Sequence, residues 1–395
     1  MKIHRVRADD TVIKVAEEYS IPPLMLCEYN GIDTRTPLWE NDELLIPNPT
    51  RTVCARRNET VERLSDRFDT SAEVIRAFNP SLTEYERIFE GQPLGVKFPP
   101  EALGRIVLNG YYYRGCSEQR LNSALNYLGF ITLCAYKVQN GELLRLMDDT
   151  AVLKKATERE ITPIMRVYLG NIPSASRLYE ITEKIAHRAL ASGYSGVALS
   201  AIKIGGVSPE GLGECLGEVR NILESEELGL ICEAEAQKVC KEASECDITV
   251  LTYDKLHLAN IPSFEEGERR TLEGVAQRCE ASRILVNLNP FAYKKDKYIG
   301  KEDALSFIKK RRLTREYDPE KMVVYALDPD KEGHSLVYES LENLKAKLAL
   351  ISELGYMGVS FDIARTPINE LLGIRQDFGT AKAPQFFRWR GSSAL

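Results

Sequence analysis

The sequence lacks the features that mark membrane, secreted and metal-binding proteins. No uninterrupted apolar stretch approaches the length that spans a bilayer, and the segment from Met1 to Val6 has no apolar signal region. The four histidines lie far apart. The nine cysteines are odd in number, lie mostly in apolar runs and show no zinc-type spacing, which predicts buried free thiols. We therefore expect synthesis in the cytoplasm without a signal peptide, and neither a metal nor a cofactor.

The chain also lacks an excess of positive charge. Its 52 basic and 58 acidic residues leave a net charge of -6, whereas binding to phosphate backbones needs a basic face. One basic run, Lys309 to Arg312, is followed by Glu316 and Asp318, so we interpret it as a solvated helix end. Nucleic-acid and membrane partners are therefore not expected. The length allows two or three domains.

The N-terminal part of the chain contains a repeat of about fifty residues. Residues 3–47 and 53–99 each predict a short strand, two amphipathic helices and a closing strand. Each copy has a polar turn that ends in Thr before its first helix, where such residues cap the helix N-terminus. Each also has Asn followed by Gly or Pro at the end of its second helix. The predicted order is therefore β-α-α-β in both copies.

This pattern resembles the LysM family, whose signature runs from a GDT-like turn to a closing strand that ends in Ile-Pro. That family binds N-acetylglucosamine-containing glycans in a shallow groove between the loop after the first strand and the loop after the second helix. Helix capping alone would explain part of the pattern. The resemblance implies peptidoglycan or another such glycan as the partner, with groove residues Asp9, Asp10, Thr11, Asn30, Gly31, Ile32, Asn58, Glu59, Thr60, Asn79, Pro80 and Ser81.

From about residue 105 onward, short apolar strands alternate with amphipathic helices, which is typical of a parallel α/β architecture. The expected fold class is multidomain: LysM-like modules at 1–49 and 50–100, followed by a (β/α)8 TIM barrel at 104–395 with an insertion at Tyr293 to Tyr338. The eight predicted barrel strands are Ile106–Gly110, Ile131–Tyr136, Pro163–Tyr168, Gly196–Ile202, Leu228–Ala234, Ile248–Tyr253, Ile284–Asn289 and Gly358–Ile363.

Several barrel segments resemble the spore-type branch of glycoside hydrolase family 18. The stretch Leu251 to Asp254 is similar to the family's sixth strand, and the stretch Leu354 to Phe361 belongs to the best-matching block. Members of this branch commonly carry tandem N-terminal LysM modules. The resemblance therefore covers essentially the full chain, and by analogy it implies an endospore former that deposits the protein in the spore coat or cortex.

The fourth predicted strand lacks the catalytic carboxylates of that family. Family members carry a D-G-x-[DN]-x-[DN]-x-E run there, and its final Glu protonates the leaving oxygen. In this chain Ala198 and Ser200 stand in place of the two middle Asp or Asn residues, and Ile202 stands in place of the acid. A second difference is Asp362, which lies where the family usually has a Trp. We therefore expect the barrel to be a pseudoenzyme rather than an enzyme.

The predicted function is non-catalytic binding of peptidoglycan or another N-acetylglucosamine polymer. One alternative is an active N-acetylglucosaminidase whose acid lies on another strand, for which Glu233, Glu235 and Asp254 are candidates. Another is a structural barrel that docks other proteins. Residues that could line a sugar-sized cleft, or equally pack the barrel, are Tyr112, Tyr136, Tyr168, Tyr253, Asn287 and Asp362.

Overall fold

The structure is a computed structural model that describes residues 1–85, 87–100, 103–200, 203–207, 211–236, 239, 245–252, 261–288, 291–294, 297–328 and 334–384. Two small modules, each with a two-stranded antiparallel sheet, precede a parallel barrel that carries an inserted antiparallel sheet. Within the described ranges, every helix is too short or too polar to cross a bilayer.

The first module has the predicted β-α-α-β order. Thr11 begins its first helix by accepting a hydrogen bond from the backbone N–H of Lys14, and Gly31 ends its second helix in the left-handed conformation, with a φ of 58°. The first and last strands pair antiparallel. Its elements are β1 (Ile3–Arg5), α1 (Val12–Glu18), α2 (Pro23–Asn30) and β2 (Glu43–Leu45).

The second module repeats this order and adds one short helix. The sequence predicts that Pro80 stops the second helix, and that helix does end at Ala77. Pro80 then begins a further helix, because the fixed φ of proline suits a first helical turn. The elements are β3 (Arg51–Cys54), α3 (Val61–Phe68), α4 (Ala72–Ala77), α5 (Pro80–Tyr85) and β4 (Pro93–Lys97).

Eight parallel strands form the barrel, and each lies at a predicted position. The first of them pairs with both the second and the eighth, which closes the sheet. These strands are β5 (Arg105–Tyr112), β6 (Phe130–Gln139), β8 (Thr162–Tyr168), β10 (Gly196–Ser200), β12 (Gly229–Glu235), β13 (Ile248–Thr252), β14 (Ile284–Asn287) and β20 (Gly358–Asp362). Short strands are added at β7 (Glu142–Arg145), β9 (Asn171–Ile172), β11 (Lys203–Ile204) and β21 (Gly379–Ala381).

Amphipathic helices cover the outside of the barrel. In α8, for example, Leu178, Ile181 and Ile185 recur at helical spacing and are buried against the strands. The helices are α6 (Glu118–Ala124), α7 (Thr150–Glu158), α8 (Ala175–Ser192), α9 (Leu212–Ser225), α10 (Arg270–Ala276), α12 (Leu341–Glu353) and α13 (Ile368–Asp377).

The predicted insertion between the seventh and eighth barrel strands is a five-stranded antiparallel sheet with one helix. The elements are β15 (Phe291–Lys294), β16 (Lys297–Gly300), α11 (Lys301–Arg311), β17 (Thr314–Asp318), β18 (Val323–Leu327) and β19 (His334–Glu339). The strand order is β16-β15-β19-β18-β17, and the insertion has its own small apolar core, which includes Ile308, Leu313 and Val324.

The first module shares its core with the barrel. Tyr29 and Leu45 are fully buried and belong to the same apolar cluster as the barrel strands and helices. Around this contact, Asp42 Oδ1 lies 3.0 Å from Arg315 Nε of the insertion, and Glu43 Oε2 accepts a 2.8 Å hydrogen bond from the backbone N–H of Leu341. The module is therefore docked through both apolar packing and buried charge.

One expectation about the cysteines is wrong. Cys232 on β12 and Cys246 before β13 form a disulfide, with their Cα atoms 6.2 Å apart. Neighbouring parallel strands bring the two thiols together, and the spacing of cysteines along the chain does not carry that information. Cys27 and Cys215 are buried free thiols, as predicted for the cysteines in general.

Replacing Arg315 tests the docking of the first module. Arg315→Met leaves the buried carboxylate of Asp42 without its counter-charge, and we expect the free energy of unfolding to fall by about 3 kcal/mol. Lys310→Met, an exposed change in the same insertion, is the matched control and should stay within about 0.5 kcal/mol. Urea denaturation followed by circular dichroism measures both values. Equal stability of the two variants would contradict a docked module.

Candidate functional site: the barrel mouth

Side chains alternate between the inside and the outside of the barrel along each strand. In the lower half of the interior the inward side chains are apolar and closely packed, so the strands that the structure describes enclose a filled core rather than a channel. They form one cluster of Val107, Phe130, Ile164, Ala198, Ile231, Ile248, Val250 and Leu285. The next inward positions toward the carboxyl ends of the strands define the barrel mouth.

The inward side chains of the mouth are largely polar and bonded to one another. Asn109 on β5 donates from Nδ2 to Ser360 Oγ on β20 at 3.1 Å. Thr132 on β6 donates from its hydroxyl to Asn109 Oδ1 at 2.8 Å. All three are buried, with 1% or less of their surface exposed. This layer is the polar floor of the mouth.

Above that floor, Glu233 on β12 is bound by two cross-barrel partners. Arg166 on β8 donates from Nε to Glu233 Oε1 at 2.6 Å and from Nη2 to Oε2 at 2.8 Å. The Tyr111 hydroxyl donates to Oε1 at 3.0 Å. The two side chains of the ion pair are 20% and 13% exposed, so the carboxylate is fixed but reachable. Bidentate geometry of this kind is the strongest form of the Arg–carboxylate pair.

Burial and charge act in opposite directions at this pair. Burial lowers the pKa of the Arg166 guanidinium, but the hydrogen bonds and negative charge of Glu233 outweigh it and raise that pKa above its ordinary value. Burial also raises the pKa of the Tyr111 hydroxyl, which therefore stays a donor. Neither Arg166 nor Tyr111 was among the site residues expected from the sequence. An Arg inside an otherwise apolar strand was the available signal, since it needs a carboxylate partner.

Asp362, at the end of β20, is the second carboxyl group of the mouth. Its Oδ1 accepts hydrogen bonds from the backbone N–H groups of Ala364 and Arg365, and its Oδ2 accepts one from Arg365 Nη1 at 2.8 Å. Burial raises the pKa of Asp362 in spite of these three donors. The Arg365 guanidinium also lies over the Tyr113 ring, 5.4 Å from its centroid. The residue that stands in place of a family Trp therefore organises its own loop.

On the fourth barrel strand the predicted alternation is present. Ala198 is 1% exposed and belongs to the apolar interior cluster. Ser200 is 2% exposed, and its hydroxyl donates to the Val167 carbonyl at 3.5 Å. Three residues singled out from the sequence, Ile202, Tyr253 and Asp254, lie outside the described residues.

The aromatic residues proposed from sequence lie in different places. Tyr168, at the end of β8, is 50% exposed on the inward side of the strand. Tyr112 points outward because it follows the inward Tyr111. It packs against the outer core, the large apolar cluster between the barrel strands and the surrounding helices. Tyr136 is also in that outer core, since the β6–β8 register shifts between Leu133 and Tyr136. Asn287 is half-buried at the end of β14, and Glu235 is exposed at the end of β12.

Many of the proposed groove residues of the modules hold the modules together. Asn30 Nδ2 donates to the carbonyls of Leu26 and Leu45, and its Oδ1 accepts from the Leu45 N–H. Asn79 makes the equivalent three bonds to Ile75 and Gly95. Thr11 and Thr60 cap helices, whereas Asp10 binds His4 and the Arg7 N–H, and Glu59 binds the Arg56 N–H and Arg67 of α3. Exposed members are Asp9, Gly31 and Asn58; Ile32, Pro80 and Ser81 are half-buried.

Removing the charge of Glu233 tests the mouth ion pair. Glu233→Gln leaves the partly buried Arg166 guanidinium without a counter-charge, so we expect the free energy of unfolding to fall by about 2 kcal/mol. Glu224→Gln on the exposed face of α9 should have almost no effect. Denaturant titrations of both variants give the comparison, and an unchanged Glu233→Gln would show that the pair contributes little.

Comparisons with known proteins agree with this architecture. The LysM domain family matches residues 4–47 and 56–97. The spore cortex-lytic enzyme SleL from Bacillus megaterium QM B1551 superposes with a TM-score of 0.72 at 16% identity, covering 97% of this chain and 99% of that chain. SleL from Bacillus cereus gives 0.72 at 16% identity, covering 96% and 99%. A chitinase from Chromobacterium violaceum ATCC 12472 gives 0.59 at 14%, covering 69% and 98%. No curated protein matches the sequence significantly.

These comparisons correct the expectation that the chain is not an enzyme. Structures that share its fold over nearly their whole length are named as a cortex-lytic enzyme and a chitinase. That expectation rested on β10 and one residue of β20, whereas a barrel mouth takes side chains from the ends of all eight strands, and this one holds Glu233 and Asp362. The chain consists of two LysM domains followed by an eight-stranded parallel barrel with the fold of SleL and the chitinases.

Proposed function

We propose that this protein binds N-acetylglucosamine-containing wall glycan, with peptidoglycan as its polymer, through its LysM domains and its barrel mouth together. The observation that carries the proposal is the docking of the first LysM domain, because Tyr29 and Leu45 lie in the barrel core. A polymer held by the domains therefore lies at a fixed position relative to the mouth. The domain boundaries 1–49, 50–100 and 104–395 belong to the same proposal.

The spore envelope is the proposed location. Two solved structures that match nearly all of this chain are named as spore cortex-lytic enzymes. The chemistry of the mouth is compatible with a neutral sugar polymer. The carboxylates of Glu233 and Asp362 are each paired with an arginine, and Tyr168 presents an exposed aromatic ring of the kind that packs against sugar C–H groups.

Retention on insoluble peptidoglycan tests the binding function with the full chain. We expect retention that is displaced by chitotetraose but not by a cellulose oligosaccharide, which lacks N-acetyl groups. Asn58→Gly removes an exposed amide at a left-handed position of the second LysM domain, with a φ of 59°, and should weaken retention roughly three- to tenfold. Asp69 lies at the C-terminal end of α3 and is also left-handed, so the Asp69→Gly variant is the control and should bind as the original chain does. Displacement by neither sugar would refute the proposal.

A second candidate function is cleavage of the bound glycan at the mouth. It is favoured by Glu233, a fixed carboxylate that Arg166 and Tyr111 aim into the mouth. With three donors bound to it, Glu233 suits the stabilisation of positive charge on a reacting sugar better than the donation of a proton. Asp362 also has three donors, but burial raises its pKa in spite of them, so it is the candidate proton donor. The two carboxylates would thus take different roles.

Release of reducing sugar from peptidoglycan and from chitohexaose tests the cleavage function. We expect Glu233→Gln to lower the rate at least about a hundredfold, in line with the loss of one electrostatic group in a site. Glu224→Gln should leave the rate unchanged. A chain that releases no sugar would refute cleavage while leaving glycan binding intact, and full activity in Glu233→Gln would remove this residue from the site.

A further inference from the structure

A cleft lies where both LysM domains meet the rim of the barrel. It is lined by the end of α2 in the first domain, the start of α5 in the second, α6 with its N-cap, Ile363 after β20, the first turn of α13, and Glu302 of α11. Its volume of about 440 Å³ lies within the range of pockets that hold small ligands. By contrast, the cavity between the first domain and the insertion has only about 80 Å³.

The lining of this rim cleft combines hydroxyl, amide and carboxylate groups with an aliphatic wall. Its polar side chains come from both domains and from α6, and include Glu28, Ser81, Ser117, Gln119 and Ser123. Ile363, Ile368 and Leu371 form the apolar side. A few polar groups on an apolar wall are what a sugar ring requires, since it presents hydroxyl groups at its edge and C–H groups on its faces.

The charges of the rim cleft favour a neutral ligand. Arg120 is already committed, because its Nη1 donates to the carbonyls of Ile363 at 3.2 Å and Thr366 at 3.0 Å, and its Nη2 is paired with Glu302. Glu28 Oε2 accepts a 3.1 Å hydrogen bond from the Ser81 hydroxyl. Within the described part of the chain, Ser81 is the one donor to the Glu28 carboxylate. The remaining charge is therefore negative, which disfavours anions and leaves acceptors for sugar hydroxyl or amide groups.

The rim cleft and the barrel mouth share one loop. Ile363 of the cleft directly follows Asp362 of the mouth, and Arg120 is bonded to the carbonyls at both ends of the 363–366 segment. A chain of sugars that occupies the cleft can therefore continue over this loop toward Glu233. Ser81 accepts a 2.9 Å hydrogen bond from Gln92 of its own domain and donates to Glu28 of the first domain, so the two domains are joined at the cleft wall.

From these contacts we propose that the rim cleft binds one N-acetylhexosamine unit of the glycan strand and so guides the strand from the LysM domains into the mouth. This inference rests on the proposed glycan-binding function and adds a site to it. It requires side chains from both domains and from the barrel at once, so neither the domains alone nor the barrel alone would form it.

Filling the rim cleft tests this site in the full-length protein. Gln119→Trp places a large side chain in the cleft from an exposed position of α6. This change should weaken chitotetraose binding about tenfold, as measured by calorimetry. Glu118→Trp is the matched control. Glu118 on the same helix is paired with Lys155 outside the cleft, and its change should leave affinity unchanged. Glu28→Gln, which keeps the shape but removes the charge, should weaken binding several-fold.

Hydrogen exchange locates the effect and separates the outcomes. In the original chain, chitotetraose should slow amide exchange in residues 117–124, and Gln119→Trp should abolish that protection while its melting temperature stays unchanged. If Gln119→Trp lowers the melting temperature, Glu28→Gln gives the same comparison without added bulk. Binding of the tetramer without protection of 117–124 would overturn the rim cleft and leave the proposed function intact. Absence of any binding to tetramer or peptidoglycan would refute both.

Discussion

The docking of the first LysM domain onto the barrel is the constraint on which the other features depend. Its Tyr29 and Leu45 complete the barrel core, and Asp42 and Glu43 bind the insertion and α12 through buried polar contacts. The Glu43 side chain is only 7% exposed in this interface, and that burial raises its pKa. Separation of the domain would expose this core and leave Arg315 without its counter-charge. The domain is thus a structural part of the barrel.

This arrangement differs from two binding modules on a flexible tether. Tethered modules gain affinity through effective concentration and sample many orientations. Here the Tyr29 hydroxyl donates to the Phe78 carbonyl of the second domain at 2.9 Å, and Ser81 bonds to Glu28 across the same junction. The domains and the mouth therefore keep one geometry, so that a bound polymer has a defined direction across the barrel rim. Because the domains are already ordered, glycan binding does not include the free-energy cost of fixing their orientation.

Sequence periodicity predicted the architecture more fully than the site. Two β-α-α-β repeats and eight barrel strands follow from local apolar spacing and capping residues, which are properties of neighbouring positions. The mouth depends instead on the phase of alternation in each strand. Tyr112 was predicted to face the cleft, but the neighbouring Tyr111 is the inward residue, because the alternation differs by one position from the expected phase. The irregular pairing of β6 likewise turns Tyr136 outward. The Cys232–Cys246 disulfide likewise arises from strand neighbours that the sequence order does not reveal.

The same limitation explains the error about the barrel's chemistry, because that expectation rested on β10 and one residue of β20, whereas eight strands build the site. The central claim that remains is that the first domain and the barrel form one cooperative unit. Native-state hydrogen exchange in increasing urea tests it most directly. The amides of β1 and α2 should exchange with the same free energy as those of β5. Exchange of β1 and α2 at a much lower free energy, with β5 still protected, would contradict the account.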